Sequence, residues 1–132
     1  MHFSLFDYQE SATRGVLAKL VTARDLYRDP KYNKRSAFAL SAVTGAGKTV
    51  IASAVIEALF NGSAEYDVEP DPTAVILWLT DDESLNNQTK NRMLTATELH
   101  ADQLVPIDNP DFPEILDPKT VYFLNVQKLY DG

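Results

Sequence analysis

Nine residues constrain this chain more than the rest of it: Ser41-Ala42-Val43-Thr44-Gly45-Ala46-Gly47-Lys48-Thr49. An apolar run, Ala37 to Val43, leads into them, and a second apolar run, Val50 to Phe60, follows. The first is short enough for a strand and the second has helical length. A glycine-bearing loop between strand and helix can turn successive backbone N–H groups inward. It then opens onto a helix N-terminus, where unpaired donors and the macrodipole favour an anion. This is the setting of a phosphate-binding P-loop. Thr44, Gly45, Ala46 and Gly47 would line it with backbone, Lys48 would reach the β- and γ-phosphates, and the hydroxyl of Thr49 would ligate the bridging Mg²⁺ of bound ATP.

The full pattern begins with a glycine, and Ala42 stands in its place. The relaxed pattern arises by chance in roughly one chain in a hundred of this length, so the flanking strand and helix carry much of the weight. The plain alternative is a glycine-softened strand-to-helix turn whose lysine faces water.

A chain of 132 residues makes one domain and buries roughly two-thirds of its unfolded surface, enough for a core. Nineteen acidic residues against twelve basic give a net charge of −7, which argues against a nucleic-acid surface built on bulk electrostatics but leaves room for a local track. Arginine is concentrated early, at Arg14, Arg24, Arg28 and Arg35, and none occurs beyond Arg92. An arginine acting on a developing phosphoryl charge must therefore be an early residue or come from elsewhere. Without cysteine there is no disulfide and no thiolate metal site, which suits a reducing compartment. No apolar run approaches membrane-spanning length, and Met1-His2-Phe3-Ser4-Leu5 lacks the features of a signal peptide; the expectation is a cytoplasmic protein with no membrane contact.

Along the chain, Ala12, Val16, Leu17, Leu20 and Tyr27 fall on one face of a helix that starts near Tyr8, with Asp7 as N-cap and Glu10 closing a capping box. Asp29-Pro30 ends it, and Lys31 to Ser36 is a basic connector. The helix after the P-loop, apolar nearly all round, should pack on more than one side and stop at Asn61-Gly62. An acidic loop, Ser63 to Pro72, precedes the unbroken apolar run Ala74 to Leu79, which reads as a strand covered on both faces. Thr80-Asp81-Asp82-Glu83 opens a polar helix containing Leu85, Gln88, Met93, Leu94 and Leu99. Proline-interrupted turns fill Ala101 to Lys119, and Val121 to Val126 is a further strand. Strands alternating with helices make an α/β fold with a mainly parallel sheet.

With its surroundings included, the P-loop stretch resembles the first motor domain, RecA-like, of superfamily two helicases and translocases of the DEAD/DEAH type. It is closest to the restriction-enzyme motor subunits, the type III subunit R-like group. Ala42 to Thr49 is similar to the family's A-x-T-G-x-G-K-T. Phe6-Asp7-Tyr8-Gln9 resembles the upstream element whose glutamine reads adenine, a pairing a carboxamide can make by donating to N7 and accepting from N6. Gln9 could equally be a solvated first-turn residue. Phe6 and Asp7 stand where many relatives carry an arginine. Ile76-Leu77-Trp78-Leu79-Thr80 is similar to the motif whose last residue, here Thr80, touches a single-strand backbone; a hydroxyl and helix N-terminal N–H groups can hold phosphate without net charge. The carboxylates Asp81, Asp82 and Glu83 beside it would repel phosphate, or are simply helix N-terminal acids favoured by the dipole. Tyr122 to Leu129 resembles the strand-and-turn motif of restriction-type translocases.

The resemblance implies a three-layer P-loop NTPase domain, incomplete here. Residues 1–36 form an adenine-side helix and connector and residues 37–132 the P-loop core. It also implies ATP and Mg²⁺ as cofactors and nucleic acid as partner, DNA before RNA. The family's next motif, an apolar strand ending in Asp-Glu, does not occur within the 132 residues. The expectations are an N-terminal portion of a larger motor that binds ATP without turning it over by itself, completed by a second motor domain and restriction-modification subunits. The family's strand order, with the strand of the absent motif between the P-loop strand and Val121–Val126, implies two open sheet edges and a marginally stable chain that either self-associates or has its sheet completed by another chain. Two other readings use the same residues: a self-contained small P-loop kinase with Asp81 or Asp82 on Mg²⁺ and Glu83 as base, and a non-catalytic interaction module with a vestigial P-loop.

Overall fold

A computed structural model describes residues 1–39, 47–80, 83–107 and 115–125. Its elements are helices α1 (Asp7–Arg28), α2 (Lys48–Asn61) and α3 (Glu83–Ala96), a 3-10 turn (Ala101–Gln103), and strands β1 (Val75–Thr80), β2 (Leu104–Pro106) and β3 (Thr120–Asn125). The strands form one parallel sheet in the order β1-β3-β2. Val75 pairs with Thr120 and Thr80 with Asn125, while Leu104 pairs with Val121 and Pro106 with Phe123. This is the α/β, parallel-sheet architecture that the alternation of elements predicts.

The α1 helix begins one residue earlier than its sequence suggests. Its N-cap is Phe6, whose side chain cannot cap, and the Phe6 N–H instead donates to Gln9 Oε1 at 3.0 Å. Gln9, not Glu10, thus closes the helix start, and Glu10 pairs outward with Arg14 at 3.6 Å. The inward face carries Gln9, Thr13 and Leu17, flanked by Ala12, Val16 and Leu20. Tyr27, expected on that face, is exposed. Asp29 caps the C-terminus, and no regular structure follows through residue 39. Of the expected strand Ala37 to Val43, residues 37–39 are therefore not strand and 40–43 lie outside the described residues.

Packing on α2 matches its nearly all-round apolar sequence: Ile51, Val55, Ile56, Leu59 and Phe60 are buried. Gly62 ends it at φ 80°, ψ 165°, and any Cβ there would meet Pro70 Cδ at 2.8 Å, so glycine is required twice over. On the sheet, Ile76, Trp78, Leu104, Val121 and Phe123 face α2 and α3 and join Leu17, Phe60 and Met93 in one core. Burying a side chain such as Phe60 or Phe123 contributes about 1.5–3 kcal/mol each.

Val75, Tyr122, Leu124, Val105, Ile107 and Leu116 form a smaller cluster on the other face, where no described helix lies. Leu77 and Leu79 of β1 are consequently half exposed, at 49% and 52%. This corrects the expectation of a strand covered on both faces. Continuous hydrophobicity cannot distinguish a face covered within the described residues from one that is not.

Two other expectations are overturned. The proline-interrupted stretch contains β2, three residues on an edge where Pro106 can end the strand without breaking a central ladder. More consequentially, β3 is the central strand, buried at all six positions and paired on both sides, so it has no open edge. Among the described residues β1 pairs with β3 alone. Beside β1 runs an apolar cleft lined by Val16, Phe38, Ile51, Val55, Ile76 and Trp78. In α3, Leu85 is exposed and Asn86 is buried in its stead, because Asn86 shares the inward side with Met93 and Ala96.

An acidic node ties the end of α1 to the loop before β1. Asp71 accepts from Thr73 Oγ at 2.7 Å, from the Thr73 N–H at 3.0 Å, and from Arg24 and Arg28 at 3.3 and 3.4 Å. Burial alone would raise its pKa. The Thr73 and arginine contacts more than offset that and hold the carboxyl below its ordinary value.

Candidate functional site

Helix α2 starts against the usual rules. Its N-cap, Gly47, sits at φ 77° with no side-chain cap, and the first turn holds no acid and begins with Lys48. A cation at a helix N-terminus opposes the macrodipole. The first intrahelical bond there is Ile51 N–H to Gly47 C=O at 3.0 Å, leaving the preceding N–H groups directed outward. Lys48 is exposed and forms no ion pair with any described residue. A pocket of about 730 Å³ lies over this end. One wall is Gly47, Lys48, Thr49, Val50 and Ser53; the other is Asn91, Arg92, Thr95 and Ala96 of α3, with Phe3 at the side. Among the described residues the lining includes two cations and no carboxylate, in a chain that carries seven more acids than bases.

The N-terminal segment is pinned beside the pocket. The Met1 ammonium pairs with Glu57, whose second oxygen accepts Glu98 N–H at 2.8 Å, and His2 N–H donates to Ala96 C=O at 2.7 Å. Phe3 is thereby held at the rim.

Of the residues expected at the site, Gly47, Lys48 and Thr49 open α2 and line the pocket. Thr44, Gly45 and Ala46 lie outside the described residues, as do Asp81 and Asp82. Gln9 lies next to this end of α2 but is 94% buried, with its Nε2 packed so tightly on Gly47 that a Cβ has no room. Its Oε1 is engaged by Phe6. Here the carboxamide braces the left-handed N-cap. Thr80, at the end of β1, donates its hydroxyl proton to buried Asn86 Oδ1 at 2.6 Å. A phosphate oxygen only accepts, so Thr80 can donate to one only by releasing Asn86. Among the described residues no group of three or more His, Asp or Glu side chains gathers as a metal site.

Sequence reasoning missed the α3 wall. The spacing of Asn91, Arg92 and Thr95 shows that they share a helix surface. Only the packing of α3 beside α2 shows which pocket that surface faces.

A parallel α/β sheet with a glycine-opened helix that begins Lys-Thr defines the class of P-loop nucleotide-binding domains. The family model described as type III restriction enzyme, res subunit, matches residues 2–131, and the chain belongs to that family. The family's domain is an ATP-binding, helicase-like motor domain, the assignment that the P-loop and its neighbouring motifs supported. No curated protein and no solved structure matches the chain.

Proposed function

We propose that this chain is the ATP-binding part of a nucleic-acid-dependent ATPase, a helicase or DNA translocase of the restriction-enzyme motor type, working in the cytoplasm with DNA rather than RNA. The observation that carries the reading is Lys48: a cation on the first turn of a helix without a side-chain cap, unpaired among the described residues, in a pocket whose described lining has positive charge and no carboxylate. A polyphosphate resolves each of these at once, accepting from the α2 N–H groups and neutralising Lys48. The residues suit Mg²⁺–ATP, since Thr49 follows Lys48 on the first turn of α2 and lines the same pocket, where its hydroxyl would hold the ion. Thr49 would hold that ion, which would supply positive charge against the phosphate oxygens. The chain's own part is to bind and orient: Lys48 by charge, α2 by its dipole, and Gln9 by keeping Gly47 open. An adenine contact by Gln9 belongs to the same proposal and requires its carboxamide to turn away from Phe6. A backbone contact by Thr80 likewise requires it to exchange Asn86 for phosphate. A second motor domain and restriction-modification subunits are the proposed partners.

Titration calorimetry with Mg²⁺–ATP tests the reading. Binding that is lost in Lys48→Ala and weakened in Thr49→Ala is the expected result. Equal affinity in wild type and Lys48→Ala would remove Lys48 from a phosphate site. Repeating the titration with single-stranded DNA present tests the nucleic-acid part, which predicts a changed ATP affinity that is lost in the Thr80→Val variant.

A further inference from the structure

We propose that Arg92 is a second phosphate ligand of this pocket, reaching from α3 to the polyphosphate that Lys48 holds from α2; the inference rests on the nucleotide reading above. Met93 and Ala96 are buried against the core, which fixes the rotation of α3 and turns Asn91, Arg92 and Thr95 toward the start of α2. Arg14, Arg24 and Arg28 each find a carboxylate, as an acidic chain makes easy. Arg92 makes no ion pair among the described residues, and the described lining of its pocket includes no acid. Two cations on facing walls of one pocket repel, and an anion between them reverses the sign of that interaction. A guanidinium offers a planar fork that matches two phosphate oxygens, which the compact ammonium of Lys48 does not. The Asn91 carboxamide adds a neutral donor on the same wall, whereas the Thr95 hydroxyl already donates to the Asn91 carbonyl at 2.9 Å. At about 730 Å³ the space is within the usual size of a small-molecule site. The last arginine in the sequence thus supplies, within the chain, a charge that seemed available only from earlier residues or from elsewhere.

The test is calorimetric titration of wild type, Arg92→Ala, Arg92→Lys and Lys48→Ala with ATP and, separately, with inorganic tripolyphosphate. Arg92→Ala should weaken both ligands by about 10- to 100-fold, the size of a lost charge-assisted bond, with an unchanged melting midpoint because the side chain is exposed. Arg92→Lys should recover part of the loss, retaining the charge without the fork. Affinities within twofold of wild type in Arg92→Ala, while Lys48→Ala has lost binding, would overturn this inference alone. So would weakened ATP with unchanged tripolyphosphate, since Arg92 would then touch base or ribose. Binding retained in Lys48→Ala, or absent in wild type, would overturn the nucleotide reading and this one with it.

Discussion

Replacing Gly47 by alanine probes the joint between α1 and the start of α2. Two costs are visible in the structure. At φ 77° an L-residue is in the left-handed region, which costs about 1–2 kcal/mol. The new Cβ would also overlap Gln9 Nε2, so the carboxamide must move and give up the Phe6 N–H bond at 3.0 Å, about another 1–2 kcal/mol with the loss of its packing. Together these come to about 2–4 kcal/mol, a large part of the roughly 5–15 kcal/mol that stabilises a domain. The two parts can be separated by making Gly47→Ala in a Gln9→Ala background, where the overlap is gone and only backbone strain remains. Urea unfolding followed by circular dichroism should then give a coupling of about 1–2 kcal/mol between the sites. Equal costs of Gly47→Ala in both backgrounds, within about 0.5 kcal/mol, would refute the claim that Gln9 braces the α2 N-cap.

Gly62→Ala should cost about 2–4 kcal/mol, from a glycine-only backbone conformation and overlap with Pro70 Cδ and Cγ; a melting midpoint within 2 °C of wild type would contradict this. Asp71 has a folded pKa below its unfolded value, so its contribution is full above an unfolded pKa of about 4 and is lost as pH falls through the folded value. Asp71→Asn should therefore lose about 1–3 kcal/mol at pH 7, with the difference from wild type closing at low pH; a pH-independent gap in denaturant midpoints would count against it. Thr80→Val and Asn86→Leu made together should destabilise less than the sum of the single changes, because each alone strands a partner of the 2.6 Å bond. Strict additivity in unfolding would show that the bond contributes nothing.

Much of the fold is legible in the residues because local rules and tertiary packing agree there. The α2 helix, its stop at Gly62, the end of α1 before Pro30 and the strands around Ile76 and Phe123 all follow from period, length and punctuation. The misses occur where a choice is tertiary. Nothing local distinguishes Gln9 from Glu10 as the cap of α1; the choice depends on α2, which holds the Gln9 carboxamide against Gly47. Leu85 outranks Asn86 as a core residue by hydropathy, yet Asn86 turns inward because Thr80 gives it a partner. Strand order is invisible in a single strand's sequence, although a hindsight signal exists: β3 is buried at every position, as a central strand should be, whereas β1 leaves Leu77 and Leu79 exposed. Of the proposed site, the Lys48-Thr49 half is written in the motif. The proposed Arg92 half depends on how two helices pack.

Backbone amide spectra of the isotope-labelled chain, recorded with increasing Mg²⁺–ATP, test the central claim most directly, because the amides at the start of α2 are themselves the proposed anion donors. The account predicts saturable shifts at Gly47, Lys48, Thr49 and Val50, together with the facing residues Asn91 to Thr95, and their disappearance in Lys48→Ala. Saturable shifts confined to other parts of the chain, with Gly47 to Val50 unmoved, would contradict it.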